Sequence, residues 1–342
     1  MKGKPTLKQL MEITQLSRAT IDRALNDRPG VHPRTRSAVD AALKQLASGS
    51  TAMKSSPHAR KTACSFRVLA QAGDAFTDEL TRTAALLEPE FEADGVRLEV
   101  IRCVGASDEE VAARIRQTKD EVDGIGIICT NTATTSSALR ECMAAGKSVV
   151  TLITDVDADA RHTYVGVNNR SAGQAAAFLI GRHLQAHPSP DVAVIVATFS
   201  YTCHEDREIG FRSLLRQRFP HVNLVEVIKG ADSGAATYEA TTRFLKTHGK
   251  LDGIYNVAGG NEGLAAALRE HDLAGRTLYV THEVNRITEP LLRSDAIDYL
   301  LTQDVRLMLR TAVDHLKAAR EGATVPSQAI LPIETYSRYS LY

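Results

Sequence analysis

The 342-residue sequence contains no tryptophan, and its eight Phe and nine Tyr leave it poor in aromatic rings. A ring-shaped ligand would have to be held mainly by polar groups, with a few Phe or Tyr faces to stack on. The five cysteines (Cys64, Cys103, Cys129, Cys142, Cys203) are odd in number, scattered, and include no C-x-x-C pair. That spacing argues against a disulfide framework or a zinc site, and suits small buried hydrophobes in a reducing compartment. No apolar run approaches the roughly 20 residues that span a bilayer, and the first residues show no apolar core of the signal-peptide kind. A cytoplasmic location without membrane contact is expected on these grounds. No G-x-S-x-G elbow, Walker A loop or H-E-x-x-H stretch occurs either. No enzymatic activity, cofactor or metal is therefore expected.

Net charge is also missing, since 41 Lys and Arg balance 41 Asp and Glu, but the distribution is uneven. Residues 1–63 hold twelve basic against four acidic side chains, and the remaining 279 hold 29 against 37. A basic head on an acidic body is the asymmetry expected when one end meets phosphate. Within that head, Thr6 and Gln9 form a capping-box pattern, and Leu7, Leu10 and Met11 share one helical face. Ser17 is a good N-cap for a second helix, in which Ile21, Ala24 and Leu25 face inward and Arg18, Asp22, Arg23 and Asn26 outward. Two short helices with a tight turn fit a helix-turn-helix; a helical hairpin packing on its own domain is the plainer alternative. A third helix opens at Pro33, with Val39, Ala42, Leu43 and Leu46 as its stripe.

The stretch TLKQLMEITQLSRATIDRALNDRPGVHPRTRSAVDAALKQL resembles the DNA-binding head of LacI/GalR-type repressors. The resemblance implies an all-α head over 1–47 bound to double-stranded operator DNA. It implies base contacts from Arg18, Ala19 and Arg23, with Thr6, Ser17, Thr20, Asn26 and Thr35 on phosphates. Asp22 and His32 depart from the pattern. Residues 48–65 are small, polar and basic and read as a linker, without the Tyr-x-Pro-Asn turn often seen in that family.

From residue 66 the chain alternates short apolar strands with helical segments, the rhythm of a parallel sheet covered on both faces. FRVLAQA, VRLEVIRCV, VDGIGIICT, KSVVTLIT and HTYVGV make a first half. The pattern restarts with DVAVIVATF, VNLVEVI, LDGIYNVAG, RTLYVTHE and AIDYLLTQ, and a late helix spans Val305–Arg320. Two α/β halves of similar size predict a bilobal domain over 66–342 with ligand at the strand ends. VGVNNRSAGQAAA, REIGFRSLL, GIYNVAGGNEGLAAAL and LLTQD resemble type I periplasmic-binding-protein folds, in order and spacing, over 66–338. In that fold the helix after the TQD turn crosses back to the first lobe.

By that resemblance, ligand contacts are expected from Asp74, Phe76, Asp155, Arg207, Asn261, His282, Glu283 and Gln303. Three have a plainer alternative: Phe76 as core, Arg207 as a surface ion pair in HEDRE, Asp155 as an exposed loop acid; for Asn261 the alternative equivalent is Gly260. His204-Glu205-Asp206 reads as a solvated helix cap, because adjacent helical residues diverge by about 100°. Gly259-Gly260-x-x-Gly263 reads as a strand-to-helix turn needing small residues. Carboxylates, amides and one arginine suit a neutral polyhydroxylated ligand. The whole then predicts a homodimeric transcriptional regulator, in the usual sense a repressor, whose operator affinity is set by a sugar or polyol. The alternatives are the same architecture sensing a purine-like or other non-sugar metabolite, or a cytosolic α/β enzyme acting on sugars; a transport-type binding protein conflicts with the absence of an export signal and with the basic head.

Overall fold

The computed structural model describes residues 64–230 and 232–341, the helix Arg18–Leu25 (α1), and the isolated helical positions Leu10, Thr14 and Val39. The chain divides into two units, 1–61 and 62–342. In the first, Leu10, Ile21, Ala24 and Val39 are buried, as the helical periodicity predicts, whereas Leu25 is 40% exposed and not an inward residue. One short helix is shown there; the expected helix-turn-helix arrangement is not. Thr6, Ser17, Asn26 and Thr35 lie outside the described residues. Arg18, Ala19, Thr20 and Arg23 lie on α1, and of these only Thr20 has a described side chain, half-buried.

The second unit holds two six-stranded sheets with the same strand order. In lobe 1 the strands are β1 (Cys64–Ala70), β2 (Val96–Arg102), β3 (Gly124–Ile128), β4 (Ser148–Leu152), β5 (Thr163–Val167) and β11 (Gln328–Leu331). They are arranged β2-β1-β3-β4-β5-β11, all parallel. In lobe 2 the strands are β6 (Asp191–Val196), β7 (Asn223–Lys229), β8 (Gly253–Asn256), β9 (Leu278–His282), β10 (Tyr299–Thr302) and β12 (Glu334–Tyr336). Their order is β7-β6-β8-β9-β10-β12, with β12 antiparallel. Central strands such as β3, β4 and β5 are buried at every position, because helices cover both faces.

The helices of lobe 1 are α2 (Asp74–Ala93), α3 (Asp108–Lys119) and α4 (Ala133–Ala144). Those following β5 are α5 (Asn169–His183), α6 (Thr202–Arg218), α7 (Gly234–His248), α8 (Asn261–Glu270), α9 (Thr288–Arg293) and α10 (Val305–Arg320). Polar caps start several of them: Ser107 and Glu110 form a capping box on α3, Thr132 caps α4, and Asp304 accepts from the Leu307 N–H of α10.

The lobes are not consecutive halves of the chain. After β5 the chain crosses over, and α5 buries Ala176, Ala177 and Ile180 in the lobe 2 core. After β10 it returns, and α10 buries Met308, Leu309, Ala312 and Leu316 in the lobe 1 core, as the resemblance implies for the helix after LLTQD. The tail then divides, β11 extending the lobe 1 sheet and β12 the lobe 2 sheet. All five cysteines are buried. The bilobal α/β architecture read from the sequence is thus the observed one.

Candidate functional site

The C-terminal ends of both sheets face each other across a cleft of about 730 Å³. Lobe 1 contributes the β1–α2 turn from Gln71 to Phe76, and lobe 2 the start of α6, the β7–α7 turn, the β8–α8 turn and the residues after β9. This is where open α/β sheets place ligands, since strand-to-helix turns gather there. The rims touch. Asn131 N–H donates to the Ser200 carbonyl at 2.8 Å, the Tyr201 hydroxyl donates to the Gln71 carbonyl at 2.8 Å, and Arg286 pairs with Asp78 at 2.9 Å.

Arg207 lies on the floor of the cleft and is only 3% exposed. Its Nε donates to Asn169 Oδ1 at 2.9 Å and its Nη1 to the Val257 carbonyl at 3.0 Å. Nη2 is buried without a hydrogen-bond partner and stands 3.9 Å from Glu283 Oε1. The surface ion pair of the HEDRE stretch is made instead by Asp206, with Arg170 at 2.7 Å. Glu283 follows β9 with a φ of +64°, a left-handed backbone that a non-glycine residue rarely adopts. Its carboxylate accepts from the Thr302 hydroxyl at 3.1 Å and from the Gln303 amide at 3.4 Å. Burial pushes the Glu283 carboxyl up, and the Arg207 charge opposes that.

His282 also lines the cleft, sharing a 2.7 Å hydrogen bond with the Tyr255 hydroxyl. Burial holds it well below the ordinary histidine range, helped by the charge of Arg207. Asn261, at the start of α8, is buried and lines the cleft. Its Oδ1 accepts from Asn256 Nδ2, the Tyr279 hydroxyl and the Thr281 hydroxyl at 2.8, 2.5 and 2.8 Å, so its amide nitrogen is the group left for a ligand. The turn before it is conformational: Gly260 has a φ of +75°, and a Cβ on Gly263 would collide with the Gly234 backbone.

Phe76 is half-buried, packed on the lobe 1 core while one part lines the cleft. Asp74 stands at the cleft mouth, paired with Arg102 at 2.7 Å. Two expected residues are placed elsewhere. Asp155 is taken by Arg161 through bonds of 2.5 and 2.6 Å and by the Thr151 hydroxyl at 2.8 Å, and it does not line the cleft. Gln303 is a brace, accepting from the Val167 N–H at 3.3 Å across the crossover and donating to Glu283.

Three cleft residues were not expected. His204 is not a solvated cap: it is 7% exposed, lines the cleft, and is pushed down to about 4 by burial, with the nearby Asp232 opposing. Its Nδ1 lies 3.2 Å from the Thr198 carbonyl, which fixes the proton on that nitrogen and leaves Nε2 as an acceptor. His204 and Arg207 are three residues apart on α6, and that spacing was the available signal. Asp232 sits in the β7–α7 turn at a φ of +53° and accepts from the Gly259 N–H at 2.6 Å. Tyr201 precedes α6 and reaches across the cleft. Among the described residues no group of His, Cys, Asp and Glu could hold a metal ion, and no helix is long and apolar enough to cross a membrane.

A periplasmic binding protein domain model matches residues 68–324, about three quarters of the chain. The chain belongs to the periplasmic binding protein family. No curated protein matches it significantly in sequence. Among solved structures it is similar to an ABC transporter solute-binding protein from Burkholderia graminis in complex with D-arabinose, at 23% identity and a TM-score of 0.73, covering 82% of this chain and 96% of that one. It is also similar to GanP, a glucose-galactose binding protein from Geobacillus stearothermophilus, at 21% identity and a TM-score of 0.74, covering 82% and 99%. A third similar structure is the XylFII–LytSN complex, at 16% identity and a TM-score of 0.70, covering 81% and 99%.

These comparisons correct several expectations for this periplasmic binding protein family member. The reading as an operator-binding transcriptional regulator or repressor is overturned, because the matching family is one of periplasmic binding proteins and the similar structures are described by their sugars, not by DNA. The expected partners, operator DNA and a second copy of the chain, are corrected with it: the partners those descriptions name are sugars and, for XylFII, LytSN. The expected cytoplasmic location is likewise overturned by the match to a periplasmic binding protein domain. The physical reason is where each inference was drawn. The DNA reading came from 1–47, outside the matched residues, and an excess of Lys and Arg attracts phosphate of any kind. The family is one of binding proteins rather than enzymes, in keeping with the missing catalytic signatures.

Proposed function

We propose that the bilobal domain is a receptor for a neutral monosaccharide or related polyol, held between the lobes. The observation that carries this reading is the buried, unpartnered Nη2 of Arg207 on the cleft floor. A buried donor left unsatisfied costs about 1–3 kcal/mol, which a ligand oxygen would recover. The other charges are largely matched within the protein: Asp74 by Arg102, Arg286 by Asp78, Glu283 facing Arg207. What remains is a mixture of donors and acceptors without excess positive charge. Hydroxyl groups fit such a mixture, because each both donates and accepts. The sugars carried by similar structures support the same reading.

In this reading Arg207 and the Asn261 amide donate to ligand oxygens. The carboxylates of Glu283 and Asp232 and the His204 Nε2 accept from hydroxyls. Phe76 supplies an apolar face, Asp74 orders the mouth, His282 lines the cleft beside Tyr255, and Asn169 and Gln303 hold Arg207 and Glu283 in place. We read residues 1–47 as a separate helical unit, 48–65 as its connector and 66–342 as the receptor; the unit boundary at 61/62 and the buried Leu10, Ile21, Ala24 and Val39 support that division.

Thermal unfolding of the full chain with D-arabinose, D-glucose and D-galactose tests the reading. At least one sugar should raise the melting temperature by mass action, and Arg207→Gln should weaken that sugar by about tenfold or more. Stabilisation by nucleobases or sugar acids, with none from neutral sugars, would refute it.

A further inference from the structure

Four successive residues at the start of α6 bond to lobe 1. The Ser200 carbonyl accepts from the Asn131 N–H at 2.8 Å, and the Tyr201 hydroxyl donates to the Gln71 carbonyl at 2.8 Å. The Thr202 hydroxyl donates to the Asp155 carbonyl at 2.8 Å, and the Cys203 N–H to the Thr154 hydroxyl at 3.3 Å. These bonds are not mechanically equivalent. The first crossover leaves lobe 1 at the end of β5, and the third leaves from its neighbour β11. Thr154 and Asp155 follow β4, one strand from β5; Asn131 follows β3, two strands away; Gln71 follows β1, three strands away. At about 4.8 Å per strand, the Gln71 contact sits about 14 Å from the crossover edge and the Thr202 contact about 5 Å. A lobe rotation of about 20° would separate the first pair by about 5 Å and the second by about 2 Å, so both leave hydrogen-bond distance and the first is carried farthest.

The Gln71 carbonyl is a fixed target. The Gln71 side chain donates to the Ala106 carbonyl at 2.9 Å and accepts from the Thr130 N–H at 3.0 Å, and the Thr130 hydroxyl donates to Asp108 at 2.6 Å. On the other side, the Tyr201 ring leans on His204, their centroids 5.3 Å apart. His204 and Arg207 on the same helix line the cleft. One helix start thus carries both the groups that would read a ligand and the bond farthest from the crossover.

We propose that Tyr201 is a positioning residue that latches the two lobes over the bound molecule. Its hydroxyl is committed to the Gln71 carbonyl, so it acts on the ligand by holding the cleft shut. The proposal builds on the receptor reading above, but its first test needs no ligand. Cysteines introduced at the exposed positions Arg97 and Glu226, on the outer strands β2 and β7, accept spin labels, while the five native cysteines are buried. Dipolar distance measurement on the unliganded full chain should show Tyr201→Phe shifting the populations toward longer separation by about three- to tenfold, the factor for one neutral hydrogen bond. Tyr238→Phe, which removes a hydroxyl bonded to Glu270 within lobe 2, should leave the distribution unchanged. An unchanged distribution in Tyr201→Phe, or equal opening in Tyr238→Phe, overturns the latch. In a second arm, with D-arabinose as probe, Tyr201→Phe should raise the dissociation rate by the same factor while association stays constant. A dissociation rate equal to that of the parent also overturns the latch. Absence of D-arabinose binding to the parent counts against the receptor reading for that sugar, and the unliganded arm still decides the latch.

Discussion

Arg207 and His204 leave α6 on the same face, and their chemistry is set by burial more than by sequence neighbours. His204 is pushed down to about 4 from an ordinary value of 6.5, so between those pH values the unfolded chain binds a proton that the folded chain refuses. Its contribution to stability is therefore complete above about pH 6.5 and is lost as pH falls toward about 4. His282 acts in the same direction, while the raised Glu283 carboxyl opposes both. Comparing one variant with the parent isolates the histidine. Between pH 7 and pH 5 the melting temperature of His204→Gln should fall less steeply than that of the parent; parallel profiles would show that His204 is not held neutral by the fold. Arg207, Asn261, His282 and Glu283 were legible as cleft residues because each stands beside a strand end or in a motif of fixed spacing. Asp155 was misplaced: its position after β4 is right, but Arg161, six residues on, turns back to claim the carboxylate. No sequence pattern announces such a pairing.

The elements were more legible than their edges, since alternating apolar runs announce strands while hydrogen bonding decides where they stop. β3 stops at Ile128, before the end of its apolar stretch, because Thr130 turns to bond the Gln71 side chain and Asp108. Invisible from sequence was how closely α5 and α6 approach. A Cβ on Gly173 would meet the Arg207 carbonyl, and one on Gly210 would meet the Arg170 carbonyl, so the two backbones interlock at both points. This contact also holds Arg207 at its depth. Gly210→Ala should destabilise the domain by about 1–3 kcal/mol in denaturant unfolding, since the opposing group is backbone and cannot rotate aside. A variant as stable as the parent would mean that the helices can separate without loss.

At the scale of the molecule, the sequence showed two α/β halves and, through the resemblance, the return of the helix after LLTQD, but not the other two crossovers that weave them. α10 and β11 return to lobe 1 after lobe 2 is built, and β12 pairs antiparallel at the far edge of the other sheet. Contacts that close a cleft join residues 130 positions apart, as Tyr201 and Gln71 do, and no local pattern encodes such a pair. The functional inference drawn from the basic first 63 residues was overturned for a related reason. Charge in one segment says what could be attracted there, whereas the family match and the cleft concern the body of the chain. The central claim is that a small neutral sugar binds between the lobes, and amide hydrogen exchange on the full chain tests it most directly. With a sugar that raises the melting temperature, protection should rise together at residues 71–76 of lobe 1 and at 198–207, 257–261 and 282–287 of lobe 2, and little elsewhere. Protection confined to one lobe, or lying outside these segments, would contradict the account.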